Sequence, residues 1–185
     1  MHHEDFSPSR RQFLLAGGAT AAGGLILPQI AMGRGAHERT LTLYNTHNGE
    51  WFKGTYWAEG RYLNESLEKI AHLLRDRRND KVKQIDPKLL DLLNAIHAKM
   101  GGHGQPFEII CGYRSPETNR LLHKKSRGVA KNSFHIKGQA VDIRVPKVQL
   151  AKLRDVAKSF RAGGVGYYPR SGFVHVDFRG FPVHW

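Results

Sequence analysis

The residues best suited to chemistry are His135, Asp142 and His175, carried by Ser133-Phe134-His135-Ile136-Lys137-Gly138-Gln139-Ala140-Val141-Asp142 and by Phe173-Val174-His175-Val176-Asp177. Two imidazoles and one carboxylate form the ligand set of a catalytic zinc centre, which keeps its fourth position open. Such a centre activates water for hydrolysis. With eleven His in 185 residues the spacing alone carries little weight, and any one of these His taken singly reads as a surface or capping residue. The surrounding pattern is more telling. From Gln139 to Val145 the residues alternate, so Ala140, Asp142 and Arg144 share one strand face and Val141, Ile143 and Val145 the other. Phe173, His175 and Asp177 likewise oppose Val174, Val176 and Phe178. If the two strands are neighbours with apolar faces turned the same way, Asp142 and His175 emerge side by side. His135 then lies in the approach loop, where Gly138 lets the backbone bring the ring back. One Zn2+ per chain is expected.

These residues need a scaffold, and the pattern along the chain predicts an α+β fold: one compact domain whose central antiparallel sheet carries the zinc site, with helices packed against it. Thr40 to Asn45 and Trp51 to Tyr56 read as a hairpin around Asn48-Gly49. A helix from about Asn64 to Arg78 follows, then one opened by Asp86-Pro87 and closed at Gly101-Gly102, with Leu89, Leu93, Ile96 and Met100 as its core stripe. After a strand ending near Gly112, Ser115-Pro116 opens a short helix to about Lys124. A last helix near Val148 to Arg161 precedes a hairpin of Val165 to Tyr168 and Phe173 to Phe178. Tyr113 is expected in the core, whereas Tyr167 and Tyr168 fit either a cleft wall or a strand. Cys111, the single cysteine, excludes an intramolecular disulfide. Its place after Phe107-Glu108-Ile109-Ile110 reads as a buried small apolar residue rather than a nucleophile or ligand.

The pattern Ser133-x-His135-x2-Gly138-x-Ala140-x-Asp142, followed by His175, resembles the zinc peptidases of the lysostaphin, D-Ala-D-Ala carboxypeptidase and hedgehog group. Gly112-Tyr113-Arg114-Ser115 matches a further motif of the carboxypeptidase branch. The segments Gly112 to Ser115, Ser126 to Lys131 and Ala162 to Ser171 are similar to a murein endopeptidase family within that group. This resemblance covers nearly the whole mature chain, including Trp185. It implies hydrolysis of peptide crosslinks between peptidoglycan stem peptides, with bonds between two diaminopimelates suggested. It also places Arg114 beside the substrate, where a guanidinium can bind an oxyanion or a carboxylate; a structural ion pair is the alternative. Relatives often carry a second His two residues before the last ligand, or a Glu three before it, where this chain has Phe173 and Gly172. The general base must then come from elsewhere. His184 ranks slightly above Asp177, which could equally orient a ligand His. Two other readings stay open: a D,D- or L,D-carboxypeptidase, and a non-catalytic zinc module that binds peptidoglycan, for which the missing base is the best support.

The leader agrees with a cell-wall role. Ser9-Arg10-Arg11-Gln12-Phe13-Leu14-Leu15 resembles a twin-arginine export signal, with a Gly/Ala-rich run from Ala16 to Ile30 that is too interrupted to span a bilayer stably. Residues 1–35 are therefore expected to be a leader that engages the twin-arginine export machinery, and 36–185 a periplasmic zinc peptidase domain. Of the net charge of +13, Arg10 and Arg11 are offset by Glu4 and Asp5, so the domain is itself cationic. No nucleic-acid motif accompanies the scattered Lys and Arg. Retention on an anionic wall polymer and a merely solvated basic surface both fit.

Overall fold

The computed structural model describes residues 38–101, 105–126 and 128–185; the expected leader, with Arg10 and Arg11, lies outside them. Turn chemistry makes the first hairpin. Strands β1 (Arg39–Asn45) and β2 (Trp51–Ala58) pair antiparallel, with Asn48 Oδ1 accepting from Glu50 N and Gly49 at φ 75°. A two-residue β3 (Arg61–Tyr62) extends β2, and α1 (Asn64–Leu73) and α2 (Pro87–Lys99) follow. Then come β4 (Phe107–Cys111), α3 (Pro116–Lys125), a short 3-10 helix (Phe134–Lys137), β5 (Ala140–Arg144), α4 (Leu150–Ser159), β6 (Gly164–Tyr168), β7 (Phe173–Asp177) and β8 (Val183–His184).

All eight described strands join in one sheet of order β3-β2-β1-β4-β5-β7-β6-β8. The α+β class holds, but the sheet is mixed rather than antiparallel. β1 pairs with β4, and β6 with β8, in parallel. A parallel pair needs a long connection, and the stretch containing α1 and α2 supplies it between β1 and β4. One face of the sheet carries Leu43, Phe107, Ile109, Ile143, Val141, Val176 and Val174, each at most 2% exposed. The helices cover that face with Ile70, Leu89, Leu93, Ile96 and Leu153, none of them exposed. Polar chemistry is thereby left to the other face.

Helix ends follow local hydrogen bonding. Asp86 caps α2 through Lys88 N, and Ser115 caps α3 through Thr118 N, both just before a Pro that needs no N–H partner. The helix α1 stops at Leu73, five residues short of the expected Arg78, because Asp76 turns inward. Its carboxylate is 1% exposed and accepts from Arg78 N at 3.0 Å and Ser115 N at 2.8 Å. The residues 74–80 thus clasp the loop after β4. Gly112 packs against Leu74 so closely that a Cβ would lie 2.5 Å from the Leu74 carbonyl oxygen, and Tyr113 N donates to that same oxygen.

Candidate metal centre

Strand register sets the first two donors. β5 and β7 are antiparallel neighbours in which Asp142 faces His175, while Val141 and Ile143 meet Val176 and Val174 on the core side. The third donor arrives by a tight turn. Ser133 Oγ accepts from His135 N to open the 3-10 helix, and Gly138 closes it at φ 71°, where a Cβ would stand 2.5 Å from Gln84 O. His135 is 3% exposed, Asp142 6% and His175 8%.

The inner atoms converge. His135 Nε2 lies 3.2 Å from His175 Nδ1 and 3.3 Å from Asp142 Oδ1, and His175 Nδ1 lies 2.8 Å from that oxygen. Ligand bonds of 2.0–2.1 Å at tetrahedral angles put neighbouring donors about 3.3 Å apart, so the set needs little adjustment to hold zinc. One outer nitrogen is fixed by its partner: His135 Nδ1 sits 2.7 Å from Gly112 O, which only accepts, so it carries a proton and Nε2 is left to face Asp142. His175 meets a carboxylate at each nitrogen, Asp142 at Nδ1 and, at 3.1 Å, Asp177 Oδ2 at Nε2. Acceptors packed this closely call for positive charge among them. Burial lowers the His135 pKa, yet the charges of Asp142 and Cys111 outweigh it and raise it to about 10. Burial likewise opposes ionisation of Asp142, but His135 and His175 hold its carboxyl well below the usual range. The field that draws a proton to His135 is the field a divalent cation would answer.

Asp177 is fully buried, and its two oxygens are saturated. Oδ1 accepts from Gly164 N at 2.8 Å and Arg179 Nε at 2.9 Å; Oδ2 accepts from His175 Nε2 and, at 2.5 Å, from Arg179 Nη2. No lone pair remains to take a proton from a reacting water. His184 departs from expectation more sharply. It pairs with Val165, which pairs with Val176, so it stands on the core side of the sheet edge, exposed and turned away from the cluster. Parallel pairing of β8 with β6 fixes that orientation. Arg114, in contrast, does line the site. Its Nη1 donates to Asn119 Oδ1 at 3.3 Å, Nη2 approaches Cys111 Sγ at 3.5 Å, and its buried Nε has no partner. Among the described residues no carboxylate forms an ion pair with it.

Cys111 overturns the apolar reading. Counting alternately from Phe107 and Ile109 puts it on the core side, but a bulge between Ile109 and Cys111 inserts one residue, and Cys111 comes to face Asp142. Its Sγ and the donor atoms of His135 and Asp142 all lie within 4.8 Å of one another. A cavity of about 580 Å³ opens over the cluster, walled by Arg114, Tyr168, Phe173, Arg179 and Trp185. Gly166 faces His175 across β6 and β7, and its missing side chain leaves room for Trp185; a Cβ there would lie 2.6 Å from Trp185 Nε1. The indole rests 5.4 Å from the His175 ring centroid and donates to Tyr168 Oη at 2.7 Å. Cys111, Arg179 and Trp185 thus join the site without having been assigned to it from the sequence, and Tyr168, expected as a cleft wall or a strand residue, is both.

Residues 34–185 match the family model described as Peptidoglycan L,D-endopeptidase MepK. The protein of that name in Escherichia coli strain K12 is 45% identical over 184 residues, which is 98% of this chain and 100% of that protein. The Shigella flexneri protein gives the same figures. A Haemophilus influenzae protein named Probable peptidoglycan L,D-endopeptidase MepK is 42% identical over 171 residues, 91% of each chain. No solved structure matches.

Proposed function

The chain belongs to the peptidoglycan L,D-endopeptidase MepK family, and on that footing we propose that it is a zinc-dependent murein endopeptidase that cuts crosslinks between two diaminopimelates. The observation that carries the reading is the convergence of His135 Nε2, Asp142 Oδ1 and His175 Nδ1 within 3.3 Å, with an outer partner on each imidazole, Gly112 O for His135 and Asp177 for His175. These three residues would hold the metal. When bound, zinc supplies Lewis acidity and brings the pKa of water from 15.7 toward 7.

The chain's own residues do the rest. Arg179 anchors Asp177 by two hydrogen bonds, and Asp177 anchors the His175 ring, so the ligand geometry is set before substrate arrives. Arg114 brings a guanidinium into the cavity that no carboxylate pairs among the described residues. Its guanidinium is suited to the oxygen that becomes negative as a peptide carbonyl is attacked, where preorganised donors contribute most. Trp185 and Phe173 exclude water beside the cluster and give the stem peptide an apolar wall. Asp177 acts as a positioning residue, and neither it nor His184 is assigned the general base.

Export by the twin-arginine route to the periplasm is part of the same proposal, supported by Arg10-Arg11 and the apolar run that follows. No described helix is long and apolar enough to cross a membrane. The test is digestion of purified sacculi followed by separation of the products. Crosslinked dimers falling to monomers is the expected result. Shortened stems would make the protein a carboxypeptidase, and an unchanged profile would leave a binding module.

A further inference from the structure

Cys111 is not needed by the three-ligand reading, yet the fold takes trouble to aim it. Without the bulge in β4 its side chain would enter the core beside Ile109; with the bulge it stands in register with Asp142, which stands in register with His175. Three adjacent strands thus present Cys111, Asp142 and His175 in one row, and His135 closes over it. Bulges beside functional sites commonly re-aim a single side chain in this way. The thiol shares two further contacts with the cluster. Gly112 O, which takes the His135 Nδ1 proton, lies 3.7 Å from Cys111 Sγ, and Arg114 Nη2 lies 3.5 Å from it.

We propose that Cys111 is a fourth, displaceable protein ligand of the metal held by His135, Asp142 and His175. The inference rests on the metal site proposed above. A sulfur at about 2.3 Å and a nitrogen at about 2.05 Å from one ion stand about 3.6 Å apart, and the Cys111 sulfur and the His135 and Asp142 donors already lie within 4.8 Å of one another. Coordination releases the thiol proton to solvent, and release of the sulfur takes it back. Four protein ligands make a closed site of the structural kind, whereas three leave the position that catalysis uses. The resting centre is therefore tightly held and inactive, and occupation of the cavity by a crosslinked stem peptide, which engages Arg114, frees the sulfur. Cys111 is half-buried, and its sulfur lies 3.5 Å from Nη2 of Arg114, which does line the cavity.

Cobalt replacement reads the ligand directly. The wild-type protein loaded with Co2+ should show the strong near-ultraviolet band of thiolate-to-cobalt charge transfer together with weaker visible bands. Cys111→Ser and Cys111→Ala should keep the visible bands and lose the ultraviolet one. Competition with a chromogenic chelator should show zinc held at least about tenfold less tightly in both variants, as removal even of an outer partner does at metal sites. Adding a purified diaminopimelate-crosslinked muropeptide dimer should weaken the wild-type ultraviolet band. Visible bands without the ultraviolet band in the wild type, or equal zinc affinity in the variants, would overturn the proposal while leaving the three-ligand site intact. A band unchanged by the dimer would overturn displacement. Full cobalt spectra in His175→Ala would instead remove the metal site itself, and this inference with it.

Discussion

Asp177 accepts four hydrogen bonds and is closed to solvent, so its charge acts on the site only through His175. Asp177→Asn keeps the shape but puts an amide where two donors now meet an acceptor, and the His175 ring loses its carboxylate partner at Nε2. Zinc affinity or turnover is expected to fall about 10–100-fold, with the pH profile of the remaining activity unchanged. Loss of the acid limb of that profile would make Asp177 a proton acceptor after all. Arg114→Ala should retain stoichiometric zinc and lose about a hundredfold in kcat/KM, as when an oxyanion donor is removed. Zinc lost together with folding would give Arg114 a structural role. His135, Asp142 and His175 were legible in the sequence because two alternating strands set Asp142 and His175 on polar faces and a Gly marked the turn behind His135. His184 misled because its element, a two-residue strand, is too short for any periodicity to reveal.

Elements of two or three residues decide much of this site. The bulge in β4 reverses the face of Cys111, and no residue type announces it, since Phe107 to Cys111 reads as an ordinary strand-like run. The mixed character of the sheet escaped for a related reason: which strand lies beside which is a property of distant segments, whereas each helix cap and hairpin turn is written locally. Gly166 shows how a strand position can shape a cleft. Gly166→Ala would push the indole of Trp185, which is 49% exposed and free to swing outward. Zinc content should stay unchanged while KM rises severalfold; an unaltered KM would show that Trp185 does not wall the cleft. Asp76 performs the matching task for Arg114, because its carboxylate ties residues 74–80 to Ser115 N. Burial opposes its charge, but hydrogen bonds from Thr118, Arg78 and Ser115 outweigh it and hold its pKa below the ordinary carboxylate value. A depressed folded value means stabilisation that is complete above the unfolded pKa of about 3.9 and is lost as the pH falls through the folded one. Asp76→Asn should therefore cost about 1.5–3 kcal/mol at neutral pH. The gap from wild type in chemical denaturation should persist down to about pH 4 and close below it. A gap independent of pH to the acid end would show that shape, and not charge, is what Asp76 contributes.

At the scale of the whole molecule, charge and export bear on one another. The chain carries 29 Lys and Arg against 16 Asp and Glu, and residues 1–35 hold little of the excess because Arg10 and Arg11 are offset by Glu4 and Asp5. A cationic domain meeting the free carboxylates of peptidoglycan is retained by a field that salt screens over about 8–10 Å. Binding to sacculi should weaken steeply as salt rises, and retention insensitive to salt would favour a merely solvated surface. On the proposed export route the domain crosses the membrane before it meets the wall. Twin-arginine transport accepts folded chains, which suits a site whose donors come from β5, the turn just before it and the later strand β7, and exist together only after folding. It also permits the metal to be loaded before export. Replacing both Arg10 and Arg11 with Lys leaves the leader's charge and apolar run unaltered, so only recognition of the pair is lost. The precursor should then accumulate in the cytoplasm, folded and able to bind zinc, while the periplasmic fraction and its endopeptidase activity disappear. Normal periplasmic accumulation of the double-Lys protein would assign export to another route and make folding before transport unnecessary.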